Sequence, residues 1–283
     1  SSDLRVKDYF EKTPIQAIDN TLWHKYKEDM ITKYPKIKRG TLHQYKNAIR
    51  VVLNYAYKMG YIKELPIFKD EYTTQKTANS RPWFNSNEYK KLHRGIDAYA
   101  KEVKKVDSRK YAYALELYDF VIFATNTGMR VGELNNVRFC DVRIAKEMTD
   151  DGSEKEILII SNIKGKRGTG TCKSYYGAVE PFKRLIARRN IKKPSSSDEK
   201  LFLVHHRVMF NVILEKIGLK YVGEHKTARR DFVSLRATYI CYRLLSGVPV
   251  YDVAKNCRTS VDMIERSYGN YLSALNFWLP SKT

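Results

Sequence analysis

Residues able to grip a phosphate stand together in the middle of the chain, in Thr127-Gly128-Met129-Arg130-Val131-Gly132-Glu133-Leu134. The run follows the apolar stretch Tyr118 to Ala124, so Arg130 is lifted out of a turn where a helix ends. Far downstream come Ser234-Leu235-Arg236-Ala237-Thr238 and then Arg266-Ser267-Tyr268-Gly269. A guanidinium is planar, stays protonated at any working pH and makes bidentate contacts with phosphate oxygens. A free phenol titrates near about 10, so nearby cations are needed to favour the phenolate that attacks. Breaking a phosphodiester without a metal needs such a nucleophile, donors for the nonbridging oxygens, and an acid for the departing alkoxide.

The rest of the chain must position these groups. Its 283 residues suggest about two domains, and 43% apolar residues suffice for ordinary cores. Fifty-two Lys and Arg against 31 Asp and Glu leave a net charge of +21, which favours a polyanionic partner, nucleic acid first. No apolar run approaches the roughly 20 residues that span a bilayer, and Ser1-Ser2-Asp3-Leu4 opens no signal peptide. Cys140, Cys172, Cys241 and Cys257 have no metal-ligand spacing, and the six histidines complete no cluster with them. The expectation is reduced thiols, no metal, no membrane and a cytoplasmic protein.

Apolar periodicity predicts a helix over 13–34, with Thr13-Pro14 at its start, and another over 39–59 stopped by Gly60. The stripe of the second is Leu42, Tyr45, Ile49, Val52, Leu53 and Tyr57. Residues 61–81 read as a polar linker, so one domain covers 1–78 and the other 79–283. Helices are expected over 85–100, 111–124, 182–189, 208–217, 234–245 and 250–255. Strands over 154–163 and 171–178 flank Gly165-Lys166-Arg167-Gly168-Thr169-Gly170, a basic hairpin tip. The fold class is mainly α with a small antiparallel β-sheet. Of the histidines, His93 is expected on a surface helix and His205-His206 beside an apolar segment; only His225, eleven residues before Arg236, is a candidate for the site.

Thr127, Gly128, Arg130, Glu133 and Leu134 reproduce the Thr-Gly-x-Arg-x-x-Glu-Leu signature of the tyrosine recombinases, the phage-integrase family. The resemblance extends over about residues 15–275. Leu235-Arg236-Ala237-Thr238 is similar to the family's His-x-Leu-Arg-His-Thr box, and Val261 to Arg266 looks like the short helix before its catalytic tyrosine. Tyr55 to Ile62 looks like the end of its helical core-binding domain. The chain departs at Val233 and Ala237, which stand where the box has histidines and cannot exchange a proton.

The resemblance implies a C-shaped, two-domain clamp on double-stranded DNA, a core-binding domain followed by a catalytic one. It implies Arg130 and Arg236 on the scissile phosphate, Tyr268 as nucleophile with Tyr271 in reserve, and Arg258 as a third donor where the family has His or Trp. It puts the acid on the hairpin lysine Lys166, with Lys164 and Lys173 as competitors. The activity implied is site-specific recombination or integration through a 3′-phosphotyrosyl link, with no cofactor and four protomers on nucleoid DNA. A type IB topoisomerase, a telomere resolvase or a noncatalytic DNA binder is the alternative. Candidate DNA contacts are Lys38, Arg39, Thr41, Lys46, Arg50 and Arg167. The apolar tail Leu272, Leu275, Phe277, Trp278 and Leu279 either docks on a neighbouring subunit, as in the family, or completes the chain's own core. The start at Ser1 suggests that an arm-site-binding domain precedes it, as in many integrases.

Overall fold

The computed structural model describes residues 2–69, 82–148, 152–165, 168–223 and 228–276, with the backbone alone for 2–4 and 270–276. The expected domain boundary, Lys166, Arg167, His225 and the tail beyond 276 lie outside the described residues, as do the side chains of Tyr271, Leu272 and Leu275. The chain divides into two compact units, Ser1–Lys76 and Thr77–Thr283.

The first unit is helical. It contains α1 (Ser2–Phe10), α2 (Asn20–Lys33) and α3 (Arg39–Lys58) around Trp23, Tyr26, Tyr45, Ile49 and Leu53. Thr13-Pro14 does not start α2. The Asp19 side chain does, by accepting from the Leu22 N–H at 2.8 Å, while Pro14 leads a short 3-10 turn. Gly60, at φ 74°, ends α3: the Tyr61 N–H donates to Ala56 O and the Gly60 N–H to Tyr57 O, a Schellman closure. The stripe of α3 is shifted from the one expected. Ala56 is buried with Tyr45, Ile49 and Leu53, whereas Val52 and Tyr57 are exposed. The first part of the expected linker is packed, since Ile62 and Phe68 join this core. Lys46 is buried on α3, which leaves it little surface for a phosphate, whereas Lys38, Arg39 and Arg50 are exposed.

In the second unit α4 (Ser86–Lys104), α5 (Ser108–Thr127) and α6 (Val131–Leu134) lead to strands β1 (Val142–Met148), β2 (Glu154–Gly165) and β3 (Gly168–Lys173). These form an antiparallel sheet in the order β1-β2-β3, with Val142 opposite Ile160 and Gly165 opposite Gly168. β1 was not expected, and β3 ends at Lys173, short of the expected 178. Then come α7 (Val179–Arg188), α8 (Arg207–Lys216), the two-residue strands β4 (Tyr221–Val222) and β5 (Ala228–Arg229), α9 (Phe232–Leu245), α10 (Val250–Asn256) and α11 (Val261–Asn276).

Apolar α5 supplies the centre of the main core through Leu117, Phe120, Val121 and Phe123. A second cluster joins α9, α10 and α11 through Ile240, Val253, Cys257, Ile264 and Tyr268. His93 is not a surface residue: the rings of Tyr89 and Tyr118 meet it edge-on at 4.4 and 5.1 Å, and burial pushes its pKa down to about 4. No helix among the described residues is long and apolar enough to cross a membrane.

Candidate active site

The end of α5 sets the first guanidinium. Gly128 takes a left-handed conformation, φ 64°, and its N–H caps the helix by donating to Ala124 O. A Cβ at this position would lie 2.3 Å from the Tyr239 ring and 2.9 Å from Cys257 Sγ, so both conformation and space demand glycine. Arg130 is the N-cap of α6, and the buried Glu133 carboxylate holds it twice. One oxygen accepts from the Arg130 N–H at 3.2 Å and the other from Nη1 at 3.0 Å. Leu134 is fully buried, which anchors this turn in the main core.

Arg236 reaches the same place from the second turn of α9. Its Nη1 donates to Gly128 O at 2.7 Å and its Nη2 to Cys257 O at 2.8 Å. Arg130 Nη2 donates to the next carbonyl, Arg258 O, at 3.0 Å. Two guanidiniums separated by 105 residues of chain between them (130 to 236) therefore hang on consecutive carbonyls of one turn. Main-chain carbonyls orient a guanidinium without neutralising it, and each terminal nitrogen has a second N–H. Both side chains remain half-exposed, so an anion can approach.

That turn is itself unusual. Arg258 follows α10 at φ 53°, with its N–H donating to Lys255 O and the Thr259 N–H to Ala254 O. This is the closure seen after α3, with arginine in place of glycine, and a left-handed non-glycine residue costs roughly 1–2 kcal/mol. The Arg258 guanidinium donates to Glu133 Oε1 at 3.4 Å and to Gly168 O on the hairpin. Beneath it Cys257 is buried, and burial raises its thiol to about 11 against the opposing pull of the Arg236 and Arg130 cations.

Hairpin β2–β3 lies against these groups. One extra residue in β2 shifts the register between Ile160 and Ile163, and Asn162 there takes φ 54° while donating to Asp141 Oδ1 at 3.2 Å. The bulge keeps Ile163 buried and leaves Lys164 exposed, at the rim of a polar hollow of about 270 Å³ that Glu133 also lines. Lys173, another competitor, forms an ion pair with Glu147.

No family model matches the sequence, and no curated relative matches it. Solved structures do match in fold. A post-cleavage complex of the XerH site-specific recombinase on palindromic difH substrate is 16% identical, with 97% of this chain and 77% of that one covered, at TM-score 0.64. The Tn1549 transposon integrase in complex with transposon right-end DNA is 14% identical over 97% and 92%, at TM-score 0.61. A lambda integrase dimer on a COC' core site is 13% identical over 94% and 70%, at TM-score 0.55. The chain has the tyrosine-recombinase fold.

Within that recombinase fold the structure brings Arg130, Arg236 and Arg258 together around Glu133 and the turn at Cys257. Tyr268 is buried in the cluster that contains Ala237 and Cys257, next along the chain to Arg236 and Arg258 respectively. It does not follow a short helix, because α11 runs unbroken from Val261 to Asn276 and carries Tyr268 within it. Ala237 is fully buried, and Val233 is exposed one turn before Arg236. The departure from the histidine box thus places one packing residue and one surface residue. His206 lies away from these groups: its buried Nε2 donates to Glu116 Oε1 at 3.0 Å. Sequence reasoning passed over the left-handed turn at Arg258 and Gly170 beside it, and no local signal marks an arginine for that conformation.

Proposed function

We propose that this chain is a site-specific DNA recombinase or integrase that cuts and rejoins strands through a phosphotyrosine. The single observation that carries the reading is the pair of guanidiniums on consecutive carbonyls, Arg236 on Cys257 O and Arg130 on Arg258 O, in a fold shared with recombinases solved on DNA. Both cations suit the nonbridging oxygens of one phosphate, where charge grows in the transition state.

In this reading the Tyr268 phenolate oxygen attacks phosphorus, the P–O5′ bond breaks, and a 3′-phosphotyrosyl link forms. The 5′ oxygen leaves with a proton from a hairpin lysine, Lys166 by its sequence position or Lys164. A 5′-hydroxyl of the partner strand then returns a proton, displaces the tyrosine and restores a phosphodiester. One ester is exchanged for another, so no energy source is consumed. The first unit serves as the core-binding domain and the second as the catalytic one, together clamping duplex DNA. Lys38, Arg39 and Thr41 at the start of α3, with Arg50 on the same helix and Arg167 by its sequence position between Gly165 and Gly168, fit backbone contacts. Four protomers acting on two duplexes complete the proposal, in the cytoplasm on nucleoid DNA.

The test uses a nicked duplex from the DNA flanking the encoding gene and a denaturing gel. Wild type should form a covalent protein–DNA adduct, and Tyr268→Phe should abolish it while binding persists. An undiminished adduct in that variant reassigns the nucleophile, and no adduct from wild type rejects the enzyme.

A further inference from the structure

Two glycines of the hairpin touch the charged centre through their backbones. A Cβ on Gly170 would lie 2.8 Å from Arg258 Nε, and a Cβ on Gly165 would lie 2.4 Å from Glu133 Oε1. Arg258 also donates through Nη2 to Gly168 O, the residue opposite Gly165 in the register. The hairpin's end therefore rests on the Arg258–Glu133 ion pair, at a closeness that side chains would forbid.

The same contacts hide Arg258. Its side chain is 9% exposed, against 38% for Arg130. A phosphate can reach the second and not the first without lifting the hairpin. The backbone points the same way: α3 closes the identical turn with Gly60, whereas α10 holds an arginine in the strained conformation. Strain of this kind persists where surrounding structure demands it, and the groups that demand it here are Gly168 O and Glu133.

We infer that Arg258 is a positioning residue, which seats the β2–β3 hairpin on whose sequence the candidate acid lysines lie, and is not itself a phosphate ligand. The inference rests on the recombinase reading and replaces the sequence expectation of a third phosphate donor. Its loss should resemble loss of the acid. Loss of a donor such as Arg236 should look different, because that weakens the transition state whatever group departs.

A pair of suicide duplexes separates the two roles: one has the natural scissile 5′ oxygen, the other a bridging 5′ sulfur, which departs as thiolate without a proton. Single-turnover cleavage by Arg258→Met should fall about 100-fold on oxygen, the usual worth of an acid, and stay within about three-fold of wild type on sulfur. Arg236→Ala should lose rate on both duplexes. Gly170→Ala removes no charged group and only pushes the Arg258 guanidinium off its seat, so it should show the same oxygen-selective loss. Combining Arg258→Met with Lys166→Ala should cost no more on oxygen than the worse single change.

Equal loss on both duplexes would make Arg258 a phosphate ligand and overturn the inference, as would Gly170→Ala cleaving oxygen at the wild-type rate. If Arg258→Met does not fold, Gly170→Ala decides alone. Wild type inert on both duplexes would reject the recombinase reading, and the inference with it.

Discussion

Two groups of arginines in the second unit are built on opposite principles. Around α5, Asp119 takes Arg184 at 2.8 Å together with Arg188, and Glu116 takes Arg189 at 2.9 Å. Glu116 also accepts from His206 and from the Leu203 N–H at 2.8 Å. Although burial alone would raise the Glu116 carboxyl, these partners outweigh it and the net pKa is lowered. At the candidate site, Arg130 and Arg258 share the one carboxylate of Glu133, and Arg236 is fixed by carbonyls. Among the described residues, three guanidiniums there meet one carboxylate. The first arrangement pairs every guanidinium with a carboxylate and ties α5 to α7 and to the start of α8. The second orients charge and leaves it available to an anion.

Removing a carboxylate from the first group should have the largest effect. Glu116→Ala leaves Arg189 with only the Lys200 and Leu201 carbonyls, strands the Leu203 N–H and the buried His206 Nε2–H, and should lower unfolding free energy by about 3–5 kcal/mol. Denaturant titration measures this, with adduct formation per folded molecule unchanged. Arg236→Ala should reverse the pattern: adduct formation drops about 100-fold or more, while stability moves by less than about 1 kcal/mol. If that variant lost stability instead of rate, the two groups would be alike and the comparison would collapse. Gly128→Ala probes the joint between helix and site. Its forced left-handed alanine and the overlap with Tyr239 should cost about 1–3 kcal/mol in the same titration.

Acid has the mildest effect and tests the scaffold alone. The pKa of His93 is lowered in the folded chain to about 4, so between that value and the ordinary one near 6.5 the unfolded chain binds the extra proton. Stability is then complete above the unfolded value and falls as pH drops, by about 1 kcal/mol from pH 6.5 to 5.5. Glu116, lowered as a carboxylate, loses its contribution only further down, as pH falls through its folded pKa. Thermal melts of wild type and His93→Phe at the two pH values check this, since the variant should lose the drop. An identical drop in both would place the titrating group elsewhere.

Local chemistry made some of this legible in the sequence. Gly128 and Gly60 mark left-handed helix ends because glycine is the residue that adopts them cheaply, and α3, α5 and α9 follow from apolar spacing. Long-range pairing left no such mark. Nothing near Glu116 announces His206, 90 residues away, and nothing in the order of residues says that Arg258 will fold onto Gly168. His93 was misread because part of its cover, the Tyr118 ring, comes from α5. The path of β2 was hidden too, because the bulge at Asn162 turns a strict alternation by one residue.

The two adjacent carbonyls after α10 have a mechanical corollary. Because Arg236 hangs from one and Arg130 from the other, displacing that short peptide segment would cost each cation one hydrogen bond at once, leaving Arg236 on Gly128 O and Arg130 on Glu133. One peptide segment is thus a shared footing for two charges that come from distant parts of the chain.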